Sequence, residues 1–163
     1  MISKLHVLCG GKPVGQLAQK QRNIVFQYDA AWLRDGFDLA PGSIPFVEGA
    51  MPPSRTVFDG LHGVFNDSLP DGWGLLLMDR ALKQYRGLDR AQITPLDRLA
   101  YMGHRGMGAL AYQPEMLPEQ DGQKIDLADI AAQSERVLDG ETTEVLETLR
   151  ICGGSPGGAR PKV

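Results

Sequence analysis

The residues best suited to chemistry sit at the end of the chain, in "GGSPGGARPKV", residues 153–163. Glycine accepts positive φ and lets backbone N–H groups turn together toward an anion, so such a loop can cradle phosphate. Lys162 adds a point charge for phosphate oxygens, and Ser155 stands seven positions before it. The spacing matches neither the P-loop pattern nor the dinucleotide fingerprint, so composition alone leaves a phosphate loop and a plain glycine-rich tail both open. Asp67 and Asp71 lie four apart and are a candidate acid–base or metal pair. They also suit turn and helix capping around Ser68 and Pro70, the reading the sequence favours. His104 and Arg105 form a candidate catalytic or phosphate-binding pair, but Gly103 and Gly106 on either side point to a tight turn. His6 and His62 lack ligand spacing. No metal cluster and no serine–histidine–aspartate elbow is recognisable.

The elements that must position these residues divide into a β-rich start and a helical remainder. "KLHVL" alternates and runs into Gly10 and Gly11, which suit a hairpin turn. "PVGQLA" and "NIVFQY" supply two further strands, with residues 19–22 as their polar connection. "AAWLRD" is a short helical turn. Four prolines in residues 39–55 predict loop, with an edge-strand fragment at 43–47. A helix follows Asp71 as N-cap, with Leu75, Met78, Leu82 and Tyr85 on one stripe and Gly87 as its stop. Thr94 before Pro95 opens another helix that closes on Gly103, and residues 107–112 read as a short buried strand. Polar residues 115–124, with Pro118 and Gly122, form a linker. Two helices follow: one from Asp126 to Gly140, the other with acids in its first turn and Arg150 in its last. The fold class is α+β: a small mixed sheet subdomain with packed helices over 1–114, the linker, then two helices and the glycine loop over 125–163.

Composition narrows the setting. Of 163 residues, 42% are hydrophobic and 23% charged, enough apolar content for a real core. A net charge of −3 argues against a whole-protein electrostatic grip on nucleic acid. Cys9 and Cys152 have no metal-type spacing, so a reducing, cytoplasmic setting is expected. No apolar run approaches the ~18–20 residues of a membrane span.

Three stretches taken together resemble the HipA-like serine/threonine kinases, toxin components of bacterial toxin–antitoxin systems. They are "FDGLHGVFNDSLPDGWGLLLMDRAL", "TPLDRLAYMGHRGMGALAYQPE" and "GGSPGGARPKV", in the family's order and approximate spacing. The first two correspond to the family's N-terminal subdomain and the third to its ATP loop, the N-terminal part of a two-lobed kinase-like fold. The resemblance implies that Gly157, Gly158, Ala159, Arg160, Pro161 and Lys162 wrap the ATP phosphates, with Mg2+ in the complete kinase. It implies that Ser155 is an inhibitory phosphosite, since its phosphate would put about −1.5 to −2 charge where ATP must sit. Asp67, Asp71 and the "GHRGMG" turn then become scaffold.

The implied partners are the kinase catalytic portion, a HipB-like DNA-binding antitoxin and a protein substrate of the translation machinery. Phosphoryl transfer needs a positioning Asp and metal-holding Asp and Asn residues. The family carries these downstream of the ATP loop, which here ends at Val163. The expectation is therefore an N-terminal portion of such a kinase, inactive alone and binding ATP weakly. The alternative is a free-standing module that binds and regulates a separate kinase.

Overall fold

A computed structural model of the chain describes residues 1–116, apart from positions 22, 55, 56 and 71 and the side chain of Trp73. The expected linker, the two later helices, the Asp71 N-cap and the glycine loop lie outside the described residues. The chain divides into two compact units. One comprises Met1–Leu69 and Thr94–Met116, and the other includes Pro70–Ile93.

The first unit is built on a four-stranded antiparallel sheet in the order β3-β2-β1-β4. Strands β1 (Lys4–Cys9) and β2 (Lys12–Lys20) form a hairpin whose turn is Gly10 and Gly11, at φ 55° and 77°. Two positive φ values match the right-handed twist of the flanking strands, which is why glycines stand there. β2 pairs with β3 (Asn23–Tyr28) through to Lys20 opposite Asn23. The polar connection expected at 19–22 is therefore shorter, and Gln19 and Lys20 belong to the strand. Residues at a hairpin's solvent end can pair without being buried, so polarity alone misplaces the turn.

Alternation decides which face is covered. Leu5, Leu17 and Phe26 are cross-strand partners in one row, and Tyr112, Val7, Gly15 and Tyr28 in the next. Every one of these side chains is buried. A bulge between Val7 and Leu8 skips Val14, leaving it outside the pairing register. Gly15 has no room for a side chain: a Cβ there would collide with the Gln27 carbonyl and lie 2.7 Å from the Phe26 ring. The missing side chain lets Phe26 lie across β2 within an aromatic cluster. Its ring centroid is 4.7 Å from Tyr28 and 4.8 Å from Phe65.

Helix α1 (Ala30–Asp35) is the short turn expected, capped by the Asp29 carboxylate on the Ala31 N–H. It buries Trp32, whose indole N–H donates to the Phe37 carbonyl at 2.9 Å. The edge fragment expected at 43–47 does not form. Ser43 and Ile44 instead turn their N–H groups back onto the Ala40 carbonyl, and Pro45 has none to offer a ladder. The outer edge of β3 is covered farther along, where Met51 exchanges both backbone hydrogen bonds with Phe26.

Helix α2 (Gly63–Asn66) is a single turn that buries Phe65. In the second unit, α3 (Gly72–Arg86) follows the predicted span and ends at Gly87, φ 65°. Its buried residues are Leu77, Met78, Asp79, Ala81 and Leu82, while Tyr85 is exposed. The predicted stripe is therefore right at Met78 and Leu82 and rotated away at Tyr85. Helix α4 (Pro95–Met102) lies in the first unit against β1 and β4, burying Leu96, Leu99 and Ala100. β4 (Leu110–Gln113) then pairs with β1, starting later than the 107–112 expectation because Gly108 has φ 97° and Met107 is exposed.

Candidate functional site

The residues that the sequence assigns to ATP, Gly157, Gly158, Ala159, Arg160, Pro161 and Lys162, and the phosphosite Ser155 lie outside the described residues. Of the competing candidates upstream, Asp67, His104 and Arg105 are among the described residues, and Asp71 is not. Asp67 ends α2 as its C-cap residue, and Ser68 beside it shares a buried 2.7 Å hydrogen bond with the Tyr112 hydroxyl. Burial pushes the Tyr112 phenol well above its ordinary range, the Ser68 bond opposes this and the Asp67 charge adds to it. This contact ties the α2 end to β4 and leaves the phenol protonated.

His104 and Arg105 occupy the turn after α4, as the flanking glycines predict. His104 Nδ1 is 2.9 Å from the Glu115 carboxylate, and the Arg105 guanidinium donates to the Tyr101 carbonyl at 3.3 Å. The first contact ties the turn to the residues after β4, and the second ties it back to α4. No group of three metal-ligating side chains occurs among the described residues, and no helix there is long and apolar enough to cross a membrane.

Two polar residues that sequence reading passed over are more telling. Asp97 is fully buried yet well bonded. One carboxylate oxygen accepts from the Ile2 N–H at 2.7 Å, and the other from the Thr94 N–H at 3.0 Å and the Thr94 hydroxyl at 2.8 Å. The Asp97 N–H returns a bond to the Thr94 hydroxyl, completing a capping box. The signal was legible, because a Thr-Pro-x-Asp run is a capping box with Asp in place of Glu. The second tie, to Ile2, spans 95 residues and has no local signature.

The other residue is His62, at the N-cap position of α2 but making no capping bond. Its ring is 4% exposed and lies edge-on to Phe65 and Phe26 at 5.8 and 6.4 Å between centroids. Neither ring nitrogen has a hydrogen-bond partner. Desolvation holds the imidazole below its ordinary value of 6.5, although the nearby Pro52 and Met51 carbonyls favour the proton without reaching bonding geometry. Because the folded pKa is the lower one, the unfolded chain takes up the proton first. The stability held by neutral His62 is complete above about pH 6.5 and declines as pH falls below it. Urea midpoints measured across pH 5 to 7.5 are expected to drop on the acid side, and His62→Phe to flatten that drop. Identical acid profiles for both proteins would refute it.

The ring also walls a cavity of about 540 Å³ together with Ser43, Pro53, Ser54, Phe58 and Leu61. An adjoining cavity of about 430 Å³ shares Ser43 and Ser54 and extends past Asp38. Over residues 39–55 the sequence led only to a loop and an edge-strand fragment at 43–47.

These features define a class: an α+β module with an antiparallel four-stranded sheet covered on one face, whose polar clusters tie its segments together. The family model of the HipA N-terminal domain matches residues 5–113, well over half of the 163-residue chain. The chain belongs to that family, as the resemblance of its upstream blocks implied. No curated protein matches it.

Proposed function

We propose that this chain supplies the N-terminal subdomain and the ATP loop of a HipA-like serine/threonine protein kinase in a toxin–antitoxin system. Membership of the HipA N-terminal domain family over residues 5–113, followed in order by "GGSPGGARPKV", carries the reading. In it, Gly157, Gly158 and Lys162 face the ATP phosphates while Mg2+ and the positioning Asp come from the catalytic portion. The HipA-type module is scaffold for that portion and for a HipB-like antitoxin, and the substrate is a translation protein. His104 and Arg105 hold the turn after α4, which fits a scaffold role for this part of the chain.

The chain alone is expected to neither hydrolyse ATP nor phosphorylate itself, because phosphoryl transfer depends on metal and base positioning that the loop does not supply. Turnover by the purified chain above a vector-only control would overturn this division of labour. In a chain joined to the catalytic portion, Ser155→Glu is expected to cut the kinase rate at least about tenfold by opposing the ATP phosphates. An unchanged rate would remove Ser155 from regulation.

A second reading, a free-standing module that restrains a separate kinase, draws on the first unit's own buried core. The two differ in what a purified catalytic portion does on mixing: gain of activity supports the first reading, inhibition the second.

A further inference from the structure

The cavity beside His62 is unused by any role described so far, and it combines three separate features. Its volume, about 540 Å³, is in the range that holds a small organic ligand. Its described wall is uncharged, with Ser43 and Ser54 beside the apolar Pro53, Phe58 and Leu61. Its remaining side-chain polar group, the His62 imidazole, is buried with both nitrogens unbonded. An unsatisfied buried polar group is costly, so such groups are uncommon unless a ligand or a function accounts for them.

We propose that this cavity is a binding site for an uncharged, planar polar group, an amide or nitrogen heterocycle that presents a hydrogen-bond donor beside an acceptor. Neutral imidazole can donate or accept through whichever nitrogen faces the cavity, and a serine hydroxyl of the wall can meet the ligand's second polar atom. Both nitrogens are shielded in the present rotamer, so binding requires a turn about the broad ring torsion that brings one of them to the cavity. Ser43 and Ser54 hydroxyls each donate or accept, as the ligand requires. Phe58 and Pro53 supply flat apolar surface for the faces of a planar group. Among the described lining residues a carboxylate or phosphate finds no cation and an ammonium no carboxylate, so these residues favour an uncharged ligand. The site is independent of the ATP loop and of the kinase reading.

Nicotinamide is a suitable probe and nicotinate its charged counterpart of the same shape. With the full chain labelled with nitrogen-15, histidine ring correlations in NMR should show the His62 nitrogens shifting saturably as nicotinamide is added. Nicotinate should bind at least about tenfold more weakly, as expected for an anion brought to lining residues of which the described ones carry no charge. Ser54→Ala should weaken nicotinamide by about fivefold, the loss of one hydrogen bond. His62→Phe should abolish saturable binding. No saturable shift at His62, equal binding of nicotinate, or Ser54→Ala binding as tightly as the parent would each overturn the proposal. Should His62→Phe fail to fold, the Ser54→Ala and nicotinate comparisons decide it.

Discussion

Phe26→Ala is expected to cost about 3–5 kcal/mol, a large share of a domain's typical total stability of about 5–15 kcal/mol. Phe26 is fully buried and couples the sheet to the α2 turn through ring contacts at 4.7 Å with Tyr28 and 4.8 Å with Phe65. Truncation loses the transfer energy of the ring, leaves a cavity and removes aromatic ring contacts worth about 0.5–1.5 kcal/mol each. The void cannot be filled from β2, because the residue beneath the ring is Gly15. The β3 backbone at this position also holds Met51, so loosening Phe26 should weaken the backbone pairing with Met51. In thermal melts the midpoint should fall by about 6–20 °C, while Val57→Ala, at an exposed site, should shift it by little. Equal shifts for the two variants would show that Phe26 is not the centre of this core.

Asp97→Ala should be the next most damaging change, at about 2–4 kcal/mol. The carboxylate satisfies three donors from two places in the chain, and its removal leaves the Ile2 N–H and the Thr94 N–H and hydroxyl without their acceptor. Thr94→Val removes the hydroxyl's share of the cap and should cost about 1 kcal/mol. Asp97→Asn separates the two functions. One amide oxygen can still serve Ile2, but the NH2 then faces the Thr94 N–H, donor against donor, so the loss should fall between the other two. Urea unfolding of the three variants gives the order, and amide exchange at Ile2 locates the effect. Rapid exchange at Ile2 is expected in Asp97→Ala and not in Thr94→Val. An Ile2 amide equally protected in all three would show that the long-range bond contributes nothing.

Much of the scaffold could be read from local sequence. The Gly10–Gly11 turn, the short helical turn at "AAWLRD" and the Thr94–Pro95 helix start each follow from residues within a few positions, and the structure shows each where it was expected. The turn reading of His104 and Arg105 also followed from their flanking glycines. The misplaced features depend on distant partners. Whether 43–47 or Met51 covers the edge of β3 depends on which backbone groups already have acceptors, and Ala40 takes those of Ser43 and Ile44. Tyr85 satisfies the helical period as well as Leu82, but periodicity does not say which sector is covered.

The sequence by itself determined the α+β class, the family blocks and the candidate phosphate loop with its Ser155. These depend on residue types at short, fixed separations. Tertiary structure alone decided that β1 takes β4 as its second neighbour, that Asp97 is a buried acceptor for the chain's start, and that His62 is a bare imidazole on a cavity wall. The physical reason is the same in all three cases. Hydrogen-bond satisfaction and desolvation depend on which remote groups arrive nearby, and a sequence window holds no record of that arrival.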